Sequence, residues 1–229
     1  MGWLSHLIHI PAVAALGQEC HHRPMAEHFM TGSTLAEVRG LLDQNHYLGG
    51  GCADPVHVFA VRKEGGLFGD HGDPVAAIVF SSPVNRYFGP GSLEISRLVR
   101  LPAMETPLSS LISWSARWLK KNTAWKYCLA YADTGAGHHG GVYQAAGFDF
   151  VRESVGHSSW INPSTGERCS SRAFDQRREA FRKGWERQPG TLKYLYVRPL
   201  HERRQKLLDR FDWTARPYPK PGNQTTRNT

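Results

Sequence analysis

The chain has 229 residues, with 40% hydrophobic and 21% charged residues and a formal net charge of +8. This suits one globular domain and argues against a disordered or low-complexity chain. The apolar runs are too short to cross a bilayer, so no membrane partner is expected. The four cysteines (Cys20, Cys52, Cys128 and Cys169) form no CxxC pair. That argues against a zinc knuckle or disulfide scaffold and makes the reducing cytoplasm the expected location.

The charge is unevenly distributed. Met1–Glu167 holds 12 Lys+Arg against 14 Asp+Glu, and Arg168–Thr229 holds 16 against 6. Eleven of the twelve histidines precede Arg168. The first part has the residues for chemistry, and the second has the excess that docks a polyanion.

Residues 1–17 are apolar but lack a basic n-region and are interrupted by His6 and His9, so they read as packed structure rather than a signal peptide. Residues 34–45 place Leu35, Val38, Leu41 and Leu42 on one helical face. Ser33 or Thr34 can cap this helix, and Glu37 completes a capping box with Thr34. His46 and Tyr47 follow, before the triple glycine Gly49–Gly51. Residues 56–62 alternate as a strand, and 75–80 form an apolar run suited to a strand buried on both faces. The loop 83–91 leads to a strand over 92–100. A helix is predicted over 108–122, with Lys120 and Lys121 in its last turn. A strand over 125–132, a short helix within 137–146, a strand over 148–154, a basic helix over 172–187 and a last strand over 192–198 complete the order. The pattern is a mixed α/β domain with a mostly antiparallel sheet flanked by helices. It spans 1–198 with a basic insert at about 160–190, and 199–229 form a basic, partly disordered tail.

The segment 130–148, AYADTGAGHHGGVYQAAGF, is the most unusual. A strand ends at Asp133, a glycine-rich turn carries His138 and His139, and a short helix presents Tyr143. Such strand ends are where α/β sheets place ligands. Asp133 is either the cap of the turn or a site group. Arg97, mid-strand, needs a partner because a buried unpaired charge is costly. Strict alternation puts it on the face of Ile95 and Val99, with Asp133 or Glu94 as candidate partners.

Tyr143 followed by Gly147-Phe148 resembles the closing motif of the GNAT acyltransferase superfamily. Glu94–Leu98 together with Tyr131–Ala145 resemble the Mom family of phage DNA-modification proteins, which is related to GNAT proteins; the resemblance extends from about Thr34 to Arg198. It implies a GNAT-like sheet. It also implies an activity converting adenine N6 in DNA to its carbamoylmethyl form, which would protect phage DNA from host restriction in the host cytoplasm.

The resemblance makes Tyr143 the candidate acid, and Asp133 is the candidate base or orienting group. Tyr47 could stack on a flipped base and His46 shuttle protons; Arg97 is either a structural ion-pair member or a substrate clamp. The donor is acetyl-coenzyme A or another small molecule. Its candidate positions are Val99, Arg100, Ser109 and Ser110, although residues 100–110 lack the glycines of a pyrophosphate loop. His138, with His46 or Asp133, is a candidate ligand for iron. Arg86 and Tyr87, and the row Arg177, Arg178 and Arg182, are candidate contacts to double-stranded DNA or else solvated surface. An acetyl-coenzyme A-dependent N-acetyltransferase of a small amine or protein is the alternative, and a non-enzymatic DNA-binding protein on the same scaffold a third.

Overall fold

A computed structural model describes residues 28–47, 54–63, 72–102, 104 and 106–220. The N-terminal reading, the triple glycine, Cys20, Cys52 and the last nine residues of the tail lie outside these.

The elements run β1 (His28–Ser33), α1 (Leu35–Asn45), β2 (Pro55–Lys63), β3 (Pro74–Ser81), β4 (Ser92–Arg100), α2 (Leu108–Asn122), β5 (Tyr127–Asp133), α3 (Gly141–Ala145), β6 (Asp149–Val155), β7 (Ser159–Ile161), β8 (Arg168–Ser170), α4 (Ser171–Asp175), β9 (Glu186–Gln188), β10 (Leu192–Pro199) and α5 (Arg204–Arg210). Seven strands form one sheet in the order β1-β2-β3-β4-β5-β10-β6, and β8-β7-β9 form a small second sheet. The expected mixed, mostly antiparallel sheet flanked by helices is what forms. Every pairing in the main sheet is antiparallel except β4 with β5.

Local sequence explains most of these elements. Thr34 caps α1 by accepting from Glu37 N–H, and the Glu37 carboxylate returns to Thr34 N–H, the capping box expected from the sequence. β3 is buried along nearly its whole length, as its apolar run requires. α2 begins after Pro107 without a side-chain cap, and it places Leu111, Ile112, Ala116 and Leu119 in the main core with Phe59, Ile78 and Phe80. α1 closes the other face over Val58, Ala60, Ala77, Val79 and Val99.

Two regions differ from the sequence expectation. The basic stretch 172–187 is not one helix: it divides into α4, a 3-10 turn over Glu179–Phe181, and β9. Phe174 stacks on Trp160 of the short β7 and Trp185 packs against Phe174, while Phe181 stays exposed, so the aromatics do not form one helical face. Residues after Pro199 also fold. Leu207 and Leu208 of α5, with Phe211 and Trp213, join Phe88, Tyr127, Leu129, Val151, Leu195 and Val197 in a further core cluster. The apolar positions of α5 were hidden among its arginines and lysines.

The parallel pair positions the site. β4 and β5 pair only over Ser92–Ile95 and Tyr127–Ala130, although both strands continue beyond. A register shift in the β3–β4 pairing also occurs: Phe80 faces Ile95, but Val79 faces Arg97, so Ser96 is an extra residue. A bulge reverses the alternation. Arg97 therefore shares the face of Val79, Val99 and Glu94, not that of Ile95, which corrects the face assigned by strict alternation.

Candidate active site

A cleft of about 270 Å³ opens where β4 and β5 part. Its walls come from Ile95 to Leu98 of β4, Tyr131 and Ala132 of β5, the turn from Gly137 into α3 as far as Tyr143, and His46 and Tyr47 after α1. Five of the sequence-predicted residues, His46, Tyr47, Arg97, His138 and Tyr143, are thus brought together from four elements.

α1 ends at Asn45, and His46 leaves it in extended backbone while its N–H still bonds Leu42 O at 2.9 Å. This exit lays two rings at the cleft mouth. The His46 and Tyr47 rings stack 4.9 Å apart at 22°, and Tyr47 lies 5.7 Å from His138. Tyr47 is 53% exposed. Burial lowers the His46 pKa from 6.5 to about 4, with Arg97 and His138 adding to the effect. Its imidazole is therefore neutral at pH 7. Partial desolvation by the cleft likewise raises the Tyr47 phenol although the side chain is half exposed, and the nearby Asp133 charge adds to that.

Tyr143 is buried, its ring 5.7 Å from Phe148 and 5.5 Å from Tyr196. Burial pushes its phenol far up, with Tyr47 and Glu94 contributing further, so it stays a proton donor at neutral pH. The Tyr-x-x-x-Gly-Phe spacing has a local cause. Gly147 takes φ 76, and Phe148 N–H returns to Tyr143 O at 3.0 Å, closing the end of α3. At the other end Gly140 takes φ 84, and a Cβ there would stand 2.2 Å from the Tyr196 ring, whose hydroxyl donates to His139 O at 2.6 Å. The short helix is clamped at both ends, which aims Tyr143.

Asp133 belongs to the floor of the turn and not to the cleft wall. Its Oδ1 accepts from Gly135 N–H at 3.0 Å and from Thr191 Oγ1 at 2.6 Å, and Lys193 Nζ lies 3.6 Å from Oδ2. Lys193, directly opposite on β10, supplies the cationic partner that the local sequence lacks. Arg97 Nη1 donates to Ser96 O at 2.7 Å, across the bulge that turned it. Of its two expected carboxylate partners, Glu94 feels its charge.

Two residues of this face escaped sequence reasoning as site groups. Glu94 has its carboxyl pushed up by burial, opposed by Lys193 and Arg97. Tyr131 has its phenol raised to about 12, by burial first and Glu94 second. Each opens one of the two segments that carry the resemblance, Glu94–Leu98 and Tyr131–Ala145, which was the available signal for both.

The candidate donor positions follow residues of the cleft wall but do not line it themselves. Leu108, the first residue of α2, lines it, and half-buried Ser109 and Ser110 follow in the uncapped first turn. Val99 is buried under α1, and Arg100 is exposed, reaching Met104 O at 3.4 Å. Arg86 and Tyr87 lie on a 3-10 turn capped by Asn85, before the start of β4, and do not line the cleft. In the insert Arg178 is exposed, whereas Arg177 pairs with Glu167 and Arg182 bonds the carbonyls of Arg177 and Asp175. Among the described residues no group of three or more His, Cys, Asp or Glu could hold a metal ion. The donor set expected for iron around His138 is not assembled there. No described helix is long and apolar enough to cross a membrane.

The model of the Mom protein family matches residues 34–220 of this chain. No curated protein matches it. Among solved structures it is similar to the ribosomal-protein-S18-alanine N-acetyltransferase from Escherichia coli, at 7% identity and a TM-score of 0.47, over 77% of this chain and 96% of that one. It is also similar to the GNAT family N-acetyltransferase YhbS from Escherichia coli in complex with CoA, at 12% identity and a TM-score of 0.46, over 79% and 86%. A third similarity is to the spermidine N-acetyltransferase from Vibrio cholerae in complex with CoA and spermine, at 7% identity and a TM-score of 0.47, over 77% and 97%.

Proposed function

The chain belongs to the Mom protein family, and on that premise we propose that it is a transferase that converts the N6 amine of adenine in duplex DNA to its carbamoylmethyl form. The observation that carries this reading is the convergence on one cleft of an aromatic ledge, half-buried His46 and exposed Tyr47, with a buried phenol, Tyr143. The N6 lone pair is delocalised into the purine and the amine lies in the base stack. The adenine must therefore be extruded and held. Tyr47 offers the face on which it stacks, and the +8 charge of the chain favours the polyanion.

As N6 forms its bond to carbon, its proton must leave. The His46 imidazole, neutral at pH 7, can accept a hydrogen bond from the amine and orient it; its lowered pKa makes it a weak base, suited only to the acidic proton of N6 once that nitrogen has become cationic. Tyr143 keeps its proton and can deliver it to a departing group. Asp133 acts through the turn: it holds Gly135 and Thr191, and so sets the loop that carries His138 and leads to Tyr143.

The donor is a coenzyme A derivative or another small molecule. The uncapped N-terminus of the 15-residue α2 suits its phosphates, with Ser109 and Ser110 as the groups that would hold them and Val99 and Arg100 flanking at the end of β4. A carbamoylmethyl group is joined to N6 through CH2, a bond that acyl transfer does not form, so the donor would carry its leaving group on that methylene carbon: the N6–CH2 bond would form as the bond to the leaving group breaks, with the N6 proton lost and one returned to the departing group. The described residues do not fit iron, and no step is assigned to it. In a phage genome the modified base would mask adenine from host restriction enzymes.

The test is expression in bacteria, digestion of the DNA to nucleosides and mass spectrometry. The expected product is deoxyadenosine carrying one carbamoylmethyl group in place of hydrogen, absent when Tyr143 is replaced by Phe. An acetylated small amine or protein with unmodified DNA would instead establish an ordinary N-acetyltransferase.

A further inference from the structure

The small sheet carries an exposed aromatic ring that the core does not use. Phe174 is buried and lies flat on Trp160, with centroids 3.8 Å apart and planes 5° from parallel, and Trp185 packs 6.0 Å from Phe174. Arg177 covers Trp185 at 4.4 Å, and Arg182 sits 5.6 Å from Phe174. Arg182 also donates to Arg177 O at 2.9 Å and to Asp175 O. These contacts brace the segment between the two aromatics. Within it Phe181 N–H bonds Arg178 O at 2.9 Å, and Arg182 N–H bonds Glu179 O at 3.0 Å.

The consequence is a division of labour among residues that look equivalent in sequence. Arg177 and Arg182 hold the insert together. Arg178 and Lys183 are exposed, and between them the braced turn presents Phe181, 65% exposed. Glu179 is the one acidic neighbour on the turn. A large apolar side chain held outward on a rigid support, with a cation on either side, matches the chemistry of a duplex: phosphates for the cations, a base step for the ring.

The insert also springs from the cleft's end of the main sheet. Leu192 pairs with Val155 at the end of β6, and Lys193 lies opposite Asp133 at the end of β5. Thr191 and Leu192, at the root of the insert, bond Asp133 Oδ1 and Thr134 Oγ1 of the glycine-rich turn.

We propose that Phe181, with Arg178 and Lys183 beside it, inserts as a wedge between base pairs of duplex DNA and helps unstack the adenine that enters the cleft. This rests on the reading of duplex DNA as substrate. An apolar wedge kinks and partly unwinds the duplex, and unstacking lowers the cost of extruding a base.

The test compares the full chain with Phe181→Ala, Phe181→Trp and the pair Arg178→Ala/Lys183→Ala. Two probes are used: a labelled random-sequence duplex, and a closed circular plasmid relaxed by topoisomerase in the presence of protein. Phe181→Ala is expected to bind the duplex about tenfold more weakly, with an unchanged salt slope and no shift of plasmid topoisomers, while melting like the unmodified protein. Phe181→Trp should retain both properties. The charge variant should lower the log–log salt slope by about one for each phosphate no longer neutralised. If the unmodified chain binds DNA but Phe181→Ala matches it in affinity and topoisomer shift, the wedge is wrong and the DNA reading stands. If the unmodified chain binds no duplex at all, both fall.

Discussion

Tyr143 and Asp133 were paired in the sequence as acid and base, and their surroundings separate them. Tyr143 sits buried against Phe148 and Tyr196 with its phenol at the cleft. Tyr143→Phe preserves that packing, so the modified nucleoside should fall about 10²–10⁴-fold with little change in melting temperature. Asp133 accepts two hydrogen bonds on Oδ1 and faces Lys193. Asp133→Asn keeps that oxygen and should retain most activity. Asp133→Ala should lose it along with about 1 kcal/mol of stability. Equal loss in both, with normal melting, would show that the charge itself takes part in the chemistry. His46 gives a pH signature. Its folded pKa of about 4 lies below its ordinary 6.5. Between those values the unfolded chain takes the proton that the folded chain refuses, so its contribution to stability is intact above pH 6.5 and is lost as pH falls towards 4. A nuclear magnetic resonance titration should find the ring neutral at pH 5.5, and His46→Asn should flatten the acid side of the stability curve.

At the scale of elements, the glycine-rich turn works because backbone, not side chains, occupies its tight points. Gly140 combines a left-handed φ of 84 with van der Waals overlap of any Cβ against Tyr196. Gly140→Ala should cost at least about 1–2 kcal/mol from the backbone alone, and should release α3 and with it Tyr143. Circular dichroism melts and the nucleoside assay should fall together; a stable variant with full activity would mean that α3 does not need this clamp. The β4 bulge is the second such device. One extra residue, Ser96, moves Arg97 to the face shared by Glu94 and Val99. In the insert, short strands and a 3-10 turn replace the expected basic helix because β7 offers Trp160 as a surface on which Phe174 can stack.

At the scale of the molecule, the segment after Pro199 is part of the fold. Arg204 makes two hydrogen bonds to Asp149, and Leu207, Leu208, Phe211 and Trp213 cover the face formed by Tyr127, Leu129, Leu195 and Val197. Ending the chain at Pro199 should therefore produce insoluble protein. Leu207→Ala alone should cost about 2–5 kcal/mol, read in denaturant melts. A soluble, cooperatively melting chain of 199 residues would show that α5 is dispensable. The basic excess is also partly consumed within the molecule, by Asp149, Glu167 and Glu202 as partners of Arg204, Arg177 and Arg210. Only the exposed remainder is available to a polyanion.

The amino-acid sequence by itself determined the elements whose cause is local: the capping box of α1, the two-face burial of β3, the amphipathic α2, and the Tyr-Gly-Phe turn that ends α3. Each depends on residues adjacent or at most five apart, so each is legible in one dimension. It also brought His46, Tyr47, Arg97 and Tyr143 forward as candidates, and these line one cleft. The tertiary structure decided what depends on register and on distant partners. The bulge that turned Arg97, the Lys193 and Thr191 that hold Asp133, the parting of β4 and β5, and the covering of the sheet by α5 all join residues far apart in the chain. No periodicity in a strand reports where its neighbour begins, and a single added residue in a ladder reverses every face beyond it.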